Sequence, residues 1–182
     1  MKAIEKYNYT GWSKYHVNGL DYVTFYGSSD PFSNWHPASF SMEFNKVLYQ
    51  FNSSEQALMF AKARLFDDSG VANKILKTGD QKLIKNLGRQ VTNYDETVWA
   101  DKRLDIMTNI LIHKFEQNPK LLCLLLNTGD KVIIEASPYD KIWGVGLGFG
   151  ATADKETWKG LNLLGTALMN ARTHLKKEYY VL

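Results

Sequence analysis

Two periodicities divide the chain. Up to residue 51 the apolar positions alternate or cluster in short β-rich runs, and beyond it they recur every three to four residues. LDYVTFYG (20–27) and ASFSMEF (38–44) read as strands. Asn45-Lys46 followed by VLYQF predicts a hairpin, although Asn-Lys is a weaker turn signal than Asn-Gly. SSDPFSNWHPAS, between the two strands, is a turn-rich loop with two prolines. A helix opens at Ser53, where Ser53 and Gln56 match the capping pattern S-x-x-Q. A short helix over Val71 to Lys77 stops near Gly79, and Asp80 caps QKLIKNL, which ends at Gly88. Asp95 to Gln117 is the longest helical stretch, with Trp99, Ile106, Ile110 and Phe115 at roughly helical spacing. Pro119 starts PKLLCLLL at the first helical position, and Gly129 stops it. KVIIEA (131–136) reads as a strand, SPYDKIWGVGLGFG as a loop with four glycines between 144 and 150, and LNLLGTALMNARTHLKKE as a last helix. Residues 1–18 carry no strong period and read as a mobile arm or an edge element. The expected fold is α+β, mainly α, with a small β-hairpin or sheet region near the N-terminal half. An arm spans 1–19 and a single compact domain spans 20–178.

Composition narrows the class. At 182 residues, 45% hydrophobic and 23% charged, the chain supports one soluble domain with a real core. Ten Tyr, nine Phe and five Trp are a generous supply, which suits pockets that stack planar rings. A net charge of +3, with 18 of the 22 basic residues being scattered lysines, is too mild to predict nucleic-acid binding by electrostatics alone. The lone Cys123, inside LLCLLL, reads as a buried thiol compatible with a reducing compartment. MKAIEKYNYTGW is charged and polar, unlike a signal peptide, and no apolar run approaches a membrane span. A cytoplasmic location is expected.

Candidate chemistry concentrates on the helix after Ser53. Glu55 and Lys62 are seven residues apart, which returns to nearly the same azimuth about two turns along the axis. Met59 and Phe66 share that face, so a carboxylate and an amine interrupt an apolar stripe. Such pairs are commonly solvated and contribute little, but polar residues on a stripe that should be buried mark a candidate site. Glu55 sits in the first turn, where the helix dipole favours its ionised form. A desolvated Lys62 would lose basicity and gain nucleophilicity toward a carbonyl or an opened sugar.

Three further groups stand out. Asp140 and Trp143 flank the glycine-rich loop, which is either a structural turn or a place to hold a ribose and stack a base. WGVGLG itself is no phosphate fingerprint, because no helix cleanly follows it. Arg89, just past a helix end, is suited to bidentate phosphate pairing or to capping. Ser33-Asn34-Trp35-His36 offers an amide, an indole and an imidazole in one loop. The other histidines, His16, His113 and His174, have no metal-ligand spacing, and one cysteine argues against a structural zinc. No metal or cofactor is therefore expected. The absence of a nucleophile elbow, a Walker loop and His-Glu-x-x-His argues against serine hydrolase, nucleoside triphosphatase and zincin chemistries.

Taken in order, FYGSSDPFSNW, SSEQALMFAKARLF, LGRQV, Trp99-x-x-x-Arg103, HKFEQNPKLLCLLL, DKIWGVGLG and WKGLNLLGTALMNAR resemble the YbiA-like, or NADAR, family from about Phe25 to Arg172. The resemblance implies a mostly helical single domain that hydrolyses N-glycosidic bonds. It implies one of two substrate classes, ADP-ribose on guanine bases of nucleic acid or ribosylamino-pyrimidine phosphate intermediates of riboflavin synthesis. By motif match it implies Glu55, Lys62 and Asp140 as catalytic residues, with Asn34, Trp35, Arg89, Trp143 and Gly144 binding substrate. Val145 departs from members that carry an acidic residue after the Trp-Gly pair.

Two chemistries fit these residue types. In one, Lys62 exchanges into the imine of a ring-opened glycosylamine and expels the base amine, with Glu55 or Asp140 moving protons. In the other, water displaces the base directly and Lys62 is only electrostatic. ADP-ribosyl-guanine is the preferred substrate, from the aromatic supply and the lack of a fused biosynthetic domain in these residues. The expected partners are ADP-ribosylated guanine, with transient nucleic-acid contact, or a small ribosylamine phosphate, and no membrane. A module that binds ADP-ribose or a nucleotide without turnover is the remaining alternative.

Overall fold

In the computed structural model, residues 1–182 are described except Tyr15, Phe149 and Thr152; Tyr15 of the arm and Phe149 of the glycine-rich loop thus lie outside the described residues. The strands are β1 (Lys2–Ile4), β2 (Val17–Asn18), β3 (Tyr22–Phe25), β4 (Phe40–Phe44), β5 (Val47–Phe51), β6 (Val132–Glu135) and β7 (Tyr179–Val181). The helices are α1 (Ser54–Leu65), α2 (Ser69–Leu76), α3 (Gln81–Arg89), α4 (Glu96–Glu116), α5 (Pro119–Leu126) and α6 (Leu163–Leu175), with one 3₁₀ turn over Lys155–Thr157. The mainly helical α+β expectation holds.

Local chemistry sets most boundaries. Ser53 caps α1 by accepting from the Gln56 N–H at 3.2 Å. The Gln56 side chain departs from the expected box, because its oxygen takes the Asn52 N–H rather than that of Ser53. Its amide donates to the carbonyls of Ile75 and Thr78, so one glutamine docks the end of α2 onto α1. Asp80 accepts from the N–H groups of Lys82 and Leu83, and Asp95 from that of Val98, each at the start of its helix. In the β4–β5 hairpin, Asn45 and Lys46 both take positive φ, 50° and 65°, as a two-residue turn matched to strand twist requires.

The sheet pattern was not legible. β3 pairs in parallel with β6, from Tyr22 opposite Val132 to Phe25 opposite Glu135, with most of the helices between them in sequence. β2 adds antiparallel to β3, and β1 pairs in parallel with β7, tying Lys2–Ile4 to the far end of the chain. Trp12 in the arm stacks on His16 at 3.8 Å, whose Nδ1 lies 3.0 Å from the buried Asp30 carboxylate. The pleat of β6 sends Ile133 into the main core, and Ile134 into a smaller cluster with Ala136, Val145 and Ala151. Val145 is therefore core. Cys123 is buried, and its sulfur accepts from the Tyr7 N–H at 3.2 Å. Among the described residues, no helix is long and apolar enough to cross a membrane.

Candidate active site

The carboxyl ends of β3 and β6 point the same way, and the loops that leave them build a groove against α1 and α3. Open sheets with parallel strands present ligands at such ends. The loop after β3 is held from two sides. Asp30 accepts from the Phe32 N–H at 3.1 Å, and Lys114 of α4 donates to the carbonyls of Pro31 and Ser33 at 3.1 and 3.0 Å. The Asn34 carbonyl accepts from the Glu55 N–H at 3.0 Å, which fastens this loop to the first turn of α1. The Asn34 side-chain oxygen is buried with no partner.

The loop after β6 is ordered by Asp140. One carboxylate oxygen accepts from the N–H groups of Ile142 and Trp143 at 2.9 and 2.8 Å, which sets Trp143 against the groove. Gly144 lies just behind the wall. A Cβ there would meet the carbonyls of Asp140 and Glu135 at 2.9 and 3.0 Å, so glycine lets the loop fold back on the end of β6.

The groove has two compartments. One, of about 300 Å³, is lined by Asn34, Trp35, Glu55, Lys62, Arg89, Asp140 and Trp143; Gly144 alone of the expected residues is not on its wall. The other, of about 490 Å³, shares Trp35, Lys85, Arg89, Glu135 and Asp140 with the first and extends to Tyr26, Ser28 and Tyr139. His36 lines neither compartment. Its Nδ1 contacts the Ser29 carbonyl at 3.2 Å, and burial lowers its pKa.

Glu55 and Lys62 occupy the same cavity without pairing, since no ion pair within 4.0 Å joins them among the described residues. Glu55 is buried, and desolvation raises its carboxyl to about 7; Lys85 and Arg89 oppose that shift and Asp140 adds to it. Lys62 is half-buried two turns further on. Its Nζ donates to the Gly88 carbonyl at 2.9 Å and lies 4.1 Å and 5.7 Å from the ring centres of Tyr94 and Trp99. Desolvation lowers its pKa against the pull of Glu96. Gly88 lets α1 and α3 come this close, because a Cβ there would strike the Met59 sulfur.

Two charged wall residues escaped the sequence reading. Lys85 is one turn before Arg89 on α3 and stands 5.7 Å from the Trp35 ring centre. Glu135 ends β6. Its carboxyl is raised to about 8, by burial first and then by Asp140 and Glu55. Its Oε2 is buried and unpartnered. Alternation along KVIIEA was the available signal: residue 135 shares the face of Ile133, which points into the body of the domain.

The NADAR domain family model matches residues 24–176. An N-glycosidase of Acanthamoeba polyphaga mimivirus is 41% identical over 160 residues, covering 83% of this chain and 94% of that protein. A riboflavin biosynthesis protein of Vibrio vulnificus is 34% identical over 119 residues, 65% of this chain and 30% of that protein. The solved structure of YbiA from E. coli superposes with a TM-score of 0.69 at 26% identity, covering 92% of each chain. With the family model spanning most of the sequence and YbiA sharing the fold, the chain belongs to the NADAR domain family.

Proposed function

We propose that this protein is a hydrolase of N-glycosidic bonds that removes ADP-ribose from guanine bases of nucleic acid. One observation carries the reading. A lysine made less basic by desolvation and a carboxyl raised to about 7 face one cavity beside three tryptophans, Trp35, Trp99 and Trp143. That set supplies a nucleophile, a proton carrier and a stacking surface around a space sized for a sugar. The naming of the mimivirus relative as an N-glycosidase supports the reaction class.

In this reading the glycosylamine ring opens to an imine at C1. The neutral Lys62 amine adds to that carbon, the base amine departs, and a Schiff base joins the sugar to Lys62. Glu55 takes a proton from the water that then releases the sugar and restores the lysine. Asp140, through its bond to the Trp143 N–H, holds Trp143 where it stacks the base. Direct displacement by water is the competing route, with Lys62 acting only through its charge.

The two-compartment groove favours a substrate with groups on both sides of the ribose. Together the cavities fall in the range that encloses a nucleotide-sized ligand, and Lys85 and Arg89, at their junction, suit phosphate oxygens. A second reading, a ribosylamino-pyrimidine phosphate as substrate, draws on the riboflavin biosynthesis name of the Vibrio relative. Both substrates join ribose to an exocyclic amine. Incubation with ADP-ribosylated guanine in DNA and RNA, ADP-ribosylated thymine, NAD and the riboflavin intermediate, read by mass spectrometry, separates them. Release of ADP-ribose from guanine is the expected result. Release only from the pyrimidine selects the second reading, and binding of ADP-ribose with no turnover of any substrate selects a binding module.

A further inference from the structure

We propose that Glu135, at the waist between the two compartments, is the proton donor to the departing base amine. The inference rests on the hydrolase reading and adds to it the one group that either chemistry needs. An aryl amine leaves poorly as an anion, so breaking the C1–N bond requires an acid beside the nitrogen.

Geometry singles out Glu135. It lines both compartments, so a ligand spanning them passes its carboxyl. It sits on a strand rather than a flexible loop, with its N–H donating to the Asn162 side-chain oxygen and its carbonyl accepting from the Val145 N–H, each at 3.0 Å. Its Oε2 is buried without a partner, and a buried carboxyl oxygen left unpaired is costly unless a ligand completes it. The groups facing it are Glu55 from α1, Asp140 from the following loop, and Lys85 and Arg89 from α3. Two neighbouring acids disfavour a third negative charge, and Lys85 offsets this only in part. With its carboxyl raised to about 8, Glu135 holds a proton at neutral pH. Asp140 is less suited, because one of its oxygens already accepts two backbone N–H groups.

The step balances. The C1–N bond breaks with its electron pair going to nitrogen, and the Glu135 proton completes the amine. The carboxylate left on Glu135 regains its proton from the water consumed, whether that water adds at C1 directly or, where Lys62 has already added, hydrolyses the Schiff base and frees the lysine. The site returns to its starting charge, and the net change is addition of one water.

Glu135→Gln tests the assignment, since it keeps the shape and removes the transferable proton. With the substrate that the wild type turns over, kcat/KM at pH 7 should fall at least 100-fold. The fall in wild-type rate above pH 8 should vanish from the variant's profile. Affinity for ADP-ribose, measured by calorimetry, and the melting temperature should be kept or raised. Glu135→Asp, which retains the acid on a shorter arm, should keep a high-pH limb with a smaller loss, and carries the test if the glutamine variant fails to fold. Activity in Glu135→Gln within twofold of wild type, or an unchanged pH profile, overturns the assignment. A wild type that cleaves no N-ribosyl substrate overturns the hydrolase reading itself, a distinct result seen before any variant is made.

Discussion

Lys62 and Lys114 are two lysines on two helices, and burial pushes both below the ordinary lysine range, Lys114 to about 7. Their surroundings differ. Lys114 is fully enclosed, donates to the carbonyls of Pro31 and Ser33, and lies near Asp30. Lys62 donates to one carbonyl, rests against two aromatic rings and faces the cavity that holds Glu55. Desolvation alone therefore does not define a reactive lysine. An enclosed amine with its donors satisfied by backbone holds a loop in place, whereas one at the edge of a cavity can meet a substrate. The two sit in one design, since the loop that Lys114 holds carries Asn34 and Trp35 to the cavity where Lys62 waits.

The largest expected effect separates their roles. Lys62→Ala should abolish release of the base with little change in melting temperature, and Lys62→Arg should not rescue it, because a guanidinium stays protonated. Assay by mass spectrometry with parallel thermal melts checks both. Full activity in Lys62→Arg would move Lys62 toward the role of a fixed charge.

Glu55→Gln should lower turnover by about 10²- to 10⁴-fold. It should also stabilise the fold at high pH. The native state keeps the Glu55 proton from about pH 4.5 to about 7, where the unfolded chain has lost it, so this carboxyl's contribution to stability falls as pH rises through that window. The glutamine variant should gain up to roughly 3 kcal/mol over wild type between pH 5 and pH 8. Denaturant melts at the two pH values measure it, and an equal difference at both would mean that Glu55 is not held protonated.

Lys114→Met should act on stability instead. It leaves two buried carbonyls unpaired, a loss on the order of 2–4 kcal/mol. The sign of its pH dependence is opposite. The unfolded chain binds this proton between about pH 7 and 10 while the native state does not, so wild-type stability rises with pH there and the variant should lose that slope. Thermal melts from pH 6 to 10 decide it. The smallest effect is on binding: Trp143→Ala should weaken ADP-ribose affinity by about 1–3 kcal/mol through a lost stacking surface, read by calorimetry.

The contrast also marks what the sequence could reveal. Signals confined to one or two helical turns were legible. Ser53, Asp80, Asp95 and Pro119 fixed helix starts, and the Glu55–Lys62 spacing placed both on one cavity wall. Contacts joining distant segments were not. Nothing local tells that β3 and β6 pair in parallel, that Lys114 reaches a loop some eighty residues earlier, or that Glu135 meets Glu55. HKFEQNP reads as a helix end, yet Lys114, Gln117 and Asn118 all reach back to residues 31–41. Burial of Lys114 is a property of the assembled core, and so are the shifted acids.

Trapping the sugar on the protein separates a covalent Lys62 intermediate from direct attack by water. Borohydride added during turnover reduces a Schiff base to a stable amine, and peptide mapping by mass spectrometry locates it. One adduct is expected, on Lys62, with Lys114 unmodified. Turnover without any adduct, joined to full activity of Lys62→Arg, or an adduct on another lysine, would contradict it.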